Sequence, residues 1–210
     1  MQIIAILTML VDHIGIVFFP DESIWRTIGR IAFPLYAFAL VIGYYKTTDR
    51  RKYLLRLTVI AVLSQLPYQI GLDDHGVNVV GTLIICLLVL ILLDRFRHFA
   101  LALPVVAAAA ILLETADFDY GYYGLALVLI YRYCRGHLQV FLHLILNIAV
   151  LFDKGWMLQL FSLFTTLTLV YSPQLYRYFD RYKPPRWVWR AFYPAHLSVL
   201  AVYQLAAAAT

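Results

Sequence analysis

Two adjacent ionisable residues, Asp12 and His13, lie within an apolar run near the start of the chain. An imidazole can act as a general base near neutral pH, and a carboxylate can orient an imidazole or balance a cation. On a helix that starts at residue 2, both would lie about 16 Å from the first residue. An ionisable side chain at this depth in a membrane is costly and commonly functional, so the pair is a candidate catalytic centre. A purely structural polar contact between helices is the alternative interpretation.

Arg30 lies in the second apolar run, four residues before Pro34. A proline loosens a helix and frees backbone groups, which membrane helices tolerate where they line a cavity. An arginine at this depth requires a counter-ion, and Asp12 is the natural one because both residues fall toward the same end of the predicted bundle. We therefore predict an Asp12–Arg30 ion pair, which either belongs to a site or is structural only.

Further polar residues fall at the ends of predicted helices. Asn and Asp are typical of helix starts and Tyr of the membrane interface, so each alone has a structural explanation. Together they could line a cavity that opens at that end of the bundle. This group comprises Gln65, Asn78, Asp119 and Tyr120.

The last apolar run contains Tyr193-Pro194-Ala195-His196, and the proline is predicted to break its helix. His196 would then lie roughly 9 Å from the helix start, nearer than His13 to the membrane face at which both helices begin. His143 is a third histidine in an apolar run, for which a polar contact between helices is an equally good explanation.

Transmembrane helices must position these residues. The chain is 63% hydrophobic and only 14% charged, with a mean hydropathy of +0.77, whereas soluble domains have about 25% charged residues. A crossing helix needs roughly 20 apolar residues. We therefore predict an all-α, polytopic transmembrane bundle formed by residues 1–210 as one domain, with about nine spans and eight as the alternative. The predicted spans are 2–19, 24–45, 53–71, 77–93, 99–113, 121–133, 138–152, 156–172 and 190–207.

The charges in the connections predict the orientation. With nine spans, 14 of the 17 Lys and Arg residues fall on one side, and acidic residues dominate the other. Short cytoplasmic loops carry the excess of basic residues, so the N-terminus is predicted to be cytoplasmic. The 14 residues are Lys46, Arg50, Arg51, Lys52, Arg56, Arg95, Arg97, Arg132, Arg135, Arg177, Arg181, Lys183, Arg186 and Arg190.

Several functional classes lack their sequence signals. Cys86 and Cys134 fit no metal-binding spacing, and no metal is expected. No glycine-rich nucleotide loop and no Gly-x-Ser-x-Gly elbow is present. The basic residues alternate with topology instead of forming one face with interleaved aromatics, so nucleic acid is not an expected partner.

The order of the motifs resembles that of the TraX family over nearly the whole chain. The most distinctive pair is Asp12-His13-Ile14 with Gly29-Arg30-Ile31-Ala32-Phe33-Pro34. The remaining matching segments are Tyr53-Leu54-Leu55-Arg56-Leu57, Ser64-Gln65-Leu66-Pro67, Asn78 with Thr82, Asp119-Tyr120-Gly121 with Gly124, and Phe192-Tyr193-Pro194-Ala195-His196-Leu197.

The resemblance implies a membrane acetyltransferase of the bacterial inner membrane. The family's namesake acetylates the N-terminus of conjugative pilin, and acetyl-CoA would be the co-substrate here. The acceptor, an amine or hydroxyl on a peptide, protein or envelope molecule, stays open. A small transporter and a non-catalytic factor for pilus or envelope assembly are the alternatives.

The resemblance also gives the candidates their roles. His13 would be the general base, Asp12 would orient a partner or balance Arg30, and His196 would be the second catalytic histidine. Contacts to the acceptor or the oxyanion would come from Arg30, Gln65, Asn78, Tyr193, Asp119 and Tyr120. The CoA phosphates would be attracted by Arg50, Arg51, Lys52, Arg186 and Arg190, for which simple topological anchoring is the competing explanation.

Overall fold

The computed structural model describes residues 1–95, 99–182 and 184–209, and all its named elements are helical. Arg97, Lys183 and Thr210 lie outside the described residues. The elements are α1 (Gln2–Phe18), α2 (Ser23–Gly29), α3 (Ala32–Lys46), α4 (Arg50–Leu72), α5 (Val79–Arg95), α6 (Phe99–Thr115), α7 (Gly121–Tyr133), α8 (His137–Lys154), a 3₁₀ helix (Met157–Ser162), α9 (Leu163–Tyr171), α10 (Pro173–Asp180) and α11 (Arg186–Ala208).

The chain is an all-helical membrane protein. Four helical stretches of the described residues are long and apolar enough to cross a bilayer, and they are Ser23–Lys46, Arg50–Leu72, His137–Lys154 and Arg186–Ala208. The other predicted spans correspond to shorter helices, such as α1 and α5 with 17 residues each. Length and apolarity therefore give four candidate crossings, and a shorter helix needs local bilayer thinning or snorkelling of its flanking residues to cross.

The second predicted span is divided, but not at its proline. α2 ends at Gly29 and α3 begins at Ala32, so the break falls at Arg30 and Ile31. Pro34 lies in the first turn of α3, where its missing N–H costs no helical hydrogen bond. The break therefore places the Arg30 side chain at a helix end, beside other polar groups.

The predicted break in the last helix is wrong. α11 runs without interruption from Arg186 to Ala208 and contains Pro194. It also begins four residues earlier than the predicted span, so His196 lies ten residues, or about 15 Å, from the helix start. His13 lies eleven residues from the start of α1. The predicted difference in depth between the two histidines therefore disappears.

The connections after α4 and α6 are joined to each other. Val77 N–H donates to the Asp117 carbonyl, and Asp119 N–H donates to the Val77 carbonyl, both at 2.8 Å. Thr82 also donates its hydroxyl to the Asp119 carbonyl. These bonds fix the segment that carries Asp119 and Tyr120 against the start of α5.

A buried polar network joins α7, α8, the 3₁₀ helix and α9. His143 lies between the Tyr123 hydroxyl, 2.9 Å from Nε2, and the Thr166 hydroxyl, 2.6 Å from Nδ1. Ser162 lies 3.0 Å from Tyr123 and accepts from Asn147 at 3.2 Å. This supports the structural interpretation of His143, whose two ring nitrogens are both engaged within the network.

α11 approaches α4 closely near the end of α4. A Cβ on Gly71 of α4 would lie 3.1 Å from both the Leu197 carbonyl oxygen and the Ala201 nitrogen of α11. Glycine therefore permits this contact between helix backbones, as small residues do at helix interfaces in membranes. Toward their first residues the same two helices border a cavity.

Candidate active site

A cavity of about 660 Å³ lies where α1, α2, α3 and α4 meet the connections after α4, α6 and α8. Five of the residues singled out in the sequence lie in its wall, namely Asp12, His13, Arg30, Asp119 and Tyr120. A set of converging polar groups in one concave site is the usual form of a binding or catalytic site. The polar residues of the wall are Asp12, His13, Arg26, Arg30, Tyr36, Tyr68, Asp74, Asp119, Tyr120 and Gln159.

Two histidines from opposite ends of the chain form a hydrogen-bonded pair at this cavity. His13 Nδ1 lies 2.7 Å from His196 Nε2, and both rings are buried. Their centroids are 4.9 Å apart and their planes differ by 18°. Sequence reasoning selected both residues but placed them at different depths.

The backbone of α11 determines the protonation pattern of this pair. His196 Nδ1 lies 2.7 Å from the Phe192 carbonyl oxygen, which can only accept, so Nδ1 carries the proton. In a neutral His196 ring, Nε2 is then the acceptor and His13 Nδ1 must donate to it. This assignment leaves the lone pair of a neutral His13 on Nε2. Among the described residues, no hydrogen bond engages this nitrogen.

Asp12 is held by two arginines. Its carboxylate lies 3.0 Å from Arg26 Nη1 and 3.4 Å from Arg30 Nη2. The expected Asp12–Arg30 ion pair is therefore present, and Arg26 is an additional partner that the sequence interpretation missed. α2 approaches α1 here through Gly29, where an added Cβ would collide with Asp12. The absence of a side chain at Gly29 thus permits the ion pairs to form.

Gln159 is a second residue that the sequence interpretation missed. Arg30 donates to its Oε1 at 3.3 Å, so the 3₁₀ helix is tied to the cluster around Asp12. Its Nε2 is buried and has no hydrogen-bond partner among the described residues. An unpaired buried amide donor in a cavity wall can serve a bound carbonyl oxygen or a water molecule.

Asp119 and Tyr120 lie in the wall beside Arg30. Removal from bulk water raises the pKa of Asp119 to about 7, although the positive charge of Arg30 opposes the shift. Tyr120 has φ 64°, a left-handed conformation that is unusual for an aromatic residue and marks local strain. Its ring stacks on Phe33 with 3.9 Å between centroids, and Arg30 lies 6.0 Å above it.

Gln65 and Asn78 lie close together but outside the walls of this cavity. Asn78 Nδ2 donates to Gln65 Oε1 at 2.7 Å and to the Ala61 carbonyl at 2.9 Å. Gln65 Nε2 donates to the Gly76 carbonyl at 2.8 Å. Their hydrogen bonds join the start of α5 to α4 and the connection between them, which is a structural role.

The other predicted binding residues lie in three different places. Tyr193, Arg186 and Arg190 line a second cavity beside the first. Arg50 instead forms a salt bridge with Asp94, with its guanidinium 4.7 Å from the centroid of the Tyr44 ring. The remaining two predicted phosphate ligands, Arg51 and Lys52, are exposed and line neither cavity.

No cluster of three or more His, Cys, Asp or Glu side chains in the described part of the chain could hold a metal ion. Both cysteines are free, with Cys86 buried in the core and Cys134 partly exposed. The groups at the first cavity that can act on a substrate are the histidine pair, the Asp12 cluster, Asp119 and the Gln159 amide.

Comparison with known proteins gives one extensive relationship. The model of the TraX protein family matches residues 1–204. A probable fimbrial assembly protein FimC, serogroup H1, from Dichelobacter nodosus is 28% identical over 232 residues, covering 95% of this chain and 92% of that protein. An uncharacterized Rickettsia prowazekii protein, RP591, is 33% identical over 66 residues, which cover 31% of this chain and 25% of that protein.

No solved structure matches the chain. The family match, in contrast, includes both histidines, both arginines that hold Asp12, and the connections that carry Asp119 and Gln159. With nearly its whole length covered, the chain belongs to the TraX family.

Proposed function

We propose that the protein is an integral membrane acetyltransferase that transfers an acetyl group from acetyl-CoA to an amine or hydroxyl acceptor. The main support for this proposal is the chain of hydrogen bonds from the Phe192 carbonyl through His196 to His13. It leaves a basic nitrogen on His13 at a cavity whose wall carries Arg26, Arg30 and the Gln159 amide. A positioned imidazole whose second nitrogen is fixed by a partner is the arrangement expected of a general base.

The reaction requires one proton acceptor and a place for negative charge. As the acceptor nitrogen or oxygen attacks the thioester carbonyl carbon, His13 Nε2 takes its proton. Arg30 and the Gln159 amide are the donors available for the oxyanion of the tetrahedral intermediate. When the carbon–sulfur bond breaks, the imidazolium returns the proton to the thiolate, which leaves as CoA thiol.

Asp12 and His196 act through other groups in this scheme. His196 accepts a hydrogen bond from His13 Nδ1–H and stabilises the His13 imidazolium that forms during transfer. Asp12 neutralises part of the charge of Arg26 and Arg30 and holds both guanidinium groups in the cavity wall. Asp119 is in a position to receive a cationic acceptor when its carboxyl is ionised.

The proposed membrane topology has about nine crossings, with the N-terminus in the cytoplasm and the protein in the bacterial inner membrane. The division of charge supports it, since connections of opposite charge alternate along the chain. In this orientation the cavity with His13 opens toward the outside, between the connections that carry Asp74, Asp119 and Trp156. The acceptor would therefore arrive from outside the cytoplasm.

The name of the Dichelobacter nodosus relative supports a link to surface fibres, and we propose a pilin-like or other envelope protein as an acceptor class. The same name favours a second candidate function, namely assembly of fimbriae without catalysis. The two candidates differ in one measurable property, which is turnover of acetyl-CoA.

The test is acetyl transfer by purified protein in liposomes with radiolabelled acetyl-CoA and an amine-bearing peptide. Labelled peptide with stoichiometric CoA thiol release is expected from the wild type, and His13→Ala is the matched inactive variant. If neither protein produces labelled peptide or CoA thiol with a panel of amine and hydroxyl acceptors, the acetyltransferase proposal fails and the assembly role remains. Ion flux without turnover would instead indicate transport.

A further inference from the structure

The second cavity, of about 540 Å³, lies between α3, α4, α5 and α11 on the side opposite to Asp119. Three arginines stand at it: Arg56 from the second turn of α4, and Arg186 and Arg190 from the first turns of α11. Arg186 and Arg190 are four residues apart and therefore lie on one face of their helix. All three are exposed, so the cavity has a basic rim that is open to the surroundings.

Several other arginines of the bundle have an acidic partner, which these three lack in the described part of the chain. Arg26 and Arg30 share Asp12, and Arg50 and Arg132 share Asp94. Within the described residues, no salt bridge or hydrogen bond engages the guanidinium groups of Arg56, Arg186 or Arg190. A cluster of uncompensated arginines matches a ligand with several phosphate oxygens, because guanidinium groups bind phosphate through paired hydrogen bonds.

Behind the rim the wall of the cavity changes from basic to apolar. Its inner wall is apolar and aromatic, with Trp189 stacked on Tyr36 at 5.1 Å between centroids. The apolar wall residues are Met9, Ala39, Leu40, Leu57, Ile60, Val79, Val80 and Leu83. A phosphate-bearing head with an uncharged arm fits this sequence of surfaces from rim to interior.

The two cavities meet at three residues. Met9, Tyr36 and Val79 line both of them, and we call these residues the neck. Met9 is four residues before His13 and lies on the same face of α1. The centroids of His13 and Tyr193, which line different cavities, are 6.5 Å apart. An arm that extends from the basic rim therefore ends beside the proposed base.

We propose that the second cavity is the acyl-donor site, where Arg56, Arg186 and Arg190 hold the phosphates of a CoA thioester and the neck receives its acyl group. This inference rests on the proposed acetyl transfer and adds to it the location of the donor. The nucleotide remains at the open rim, while the thioester reaches the side of the neck that faces His13. The acceptor and the donor then approach the reacting carbon from opposite ends of one passage.

The test measures CoA binding directly, apart from turnover. Equilibrium dialysis of detergent-purified protein with labelled CoA would compare the wild type, Arg56→Gln and the Arg186→Gln, Arg190→Gln double variant. Arg135→Gln is the matched control, since this exposed arginine between α7 and α8 lines neither cavity. We expect CoA binding to weaken at least about tenfold in the first two variants and to be unchanged in the control. Pantetheine, which has the arm without the phosphates, should bind weakly and equally to all four proteins.

Kinetics and lipid competition separate the remaining explanations. The double variant should raise the KM for acetyl-CoA while the kcat at saturation changes little. Undiminished CoA binding by both cavity variants overturns the proposal. It is also overturned if phosphatidylglycerol micelles displace CoA from the protein while the double variant keeps the wild-type KM for acetyl-CoA, a result that would identify a lipid headgroup site. Arginine-dependent CoA binding by a wild type that transfers no acetyl group would leave the site in place and refute the proposed function instead.

Discussion

The histidine pair depends on a carbonyl oxygen as much as on either ring. Because the Phe192 carbonyl accepts from His196, His196 must present an unprotonated nitrogen to His13. A ring in a helix that lacked this backbone contact could adopt either tautomer, and only one of them gives His13 a basic Nε2. The position of the proton is thus determined by α11, while the reactive nitrogen belongs to α1.

Substitutions at the pair should separate the base from the residue that positions it. His13→Ala is expected to fold, to bind CoA and to lose acetyl transfer by about 100-fold or more, the usual effect of removing a general base. His196→Gln should retain more activity than His196→Leu, because the Gln carbonyl oxygen can accept from His13 Nδ1. Initial rates in liposomes check both points. Equal activity of the Gln and Leu variants would argue against a role for the hydrogen bond from His13 Nδ1 to residue 196.

The Asp12 cluster should show an asymmetric response to charge removal. Asp12→Asn leaves two partly buried cations facing each other, and is expected to destabilise the fold by less than the roughly 3–5 kcal/mol that breaking a fully buried pair costs. Arg26→Gln should cost much less, since Arg30 still neutralises Asp12 and Arg26 is the more exposed arginine. Thermal unfolding in detergent measures both. A similar fall in melting temperature in the two variants would mean that Asp12 does not hold the two arginines together.

Asp119 should make stability depend on pH in the direction opposite to that of an ordinary carboxylate. Its pKa is raised to about 7 in the folded protein, compared with about 3.9 for an unperturbed Asp. The folded state therefore holds the proton more strongly, and this stabilisation is lost as the pH rises toward and through 7. Relative to the wild type, Asp119→Asn should gain melting temperature between pH 5 and pH 8. The exposed Asp21→Asn control should show no such pH-dependent difference.

The sequence was informative about residues whose presence in an apolar run has a high energetic cost. Asp12, His13, Arg30 and His196 were found for this reason. Arg26 was missed because it lies close to a predicted loop, where an arginine needs no special explanation. Gln159 was missed because a single amide at the start of a span is common, and only the fold brings it to Arg30.

At the scale of elements, the approach of α1 to α2 depends on Gly29. An added methyl group there would occupy the space of the Asp12 carboxylate, which two arginines prevent from moving. We expect Gly29→Ala to lower the melting temperature and abolish activity. Gly43→Ala is the matched control, because its Cβ would meet only the end of the Tyr53 side chain, 2.7 Å from the hydroxyl, which can rotate away. If the two variants melt alike, the close packing at Gly29 is unimportant.

Helix positions were easier to predict than helix ends. Each predicted apolar run coincides with helix, because hydrophobicity over about 20 residues is a strong signal. The sequence predicts a loosened helix at Pro34, whereas the break falls at Arg30 and Ile31, because the hydrogen bonds that end α2 are not visible in a sequence. The four-residue error at the start of α11 then shifted His196 by about 6 Å.

At the scale of the whole molecule, the proposed topology makes a direct prediction for the C-terminus. With nine crossings and a cytoplasmic N-terminus, alkaline phosphatase fused after the last residue should be active, and a cytoplasmic reporter at the same place should be inactive. A fusion within the connection between α3 and α4 should give the reverse result. A cytoplasmic C-terminus would contradict nine crossings and favour eight.

The polar network between α7, α8 and α9 has a consequence for how this bundle assembles. In a bilayer, leucine side chains gain little by leaving lipid for protein, so apolar contacts alone permit helices to slide along each other. Sliding α8 by one turn would separate His143 from Tyr123 and Thr166 at a depth where water cannot replace them. The network therefore favours one axial register of α8 over its neighbours. In that register the 3₁₀ helix, and Gln159 with it, lies at the wall of the cavity.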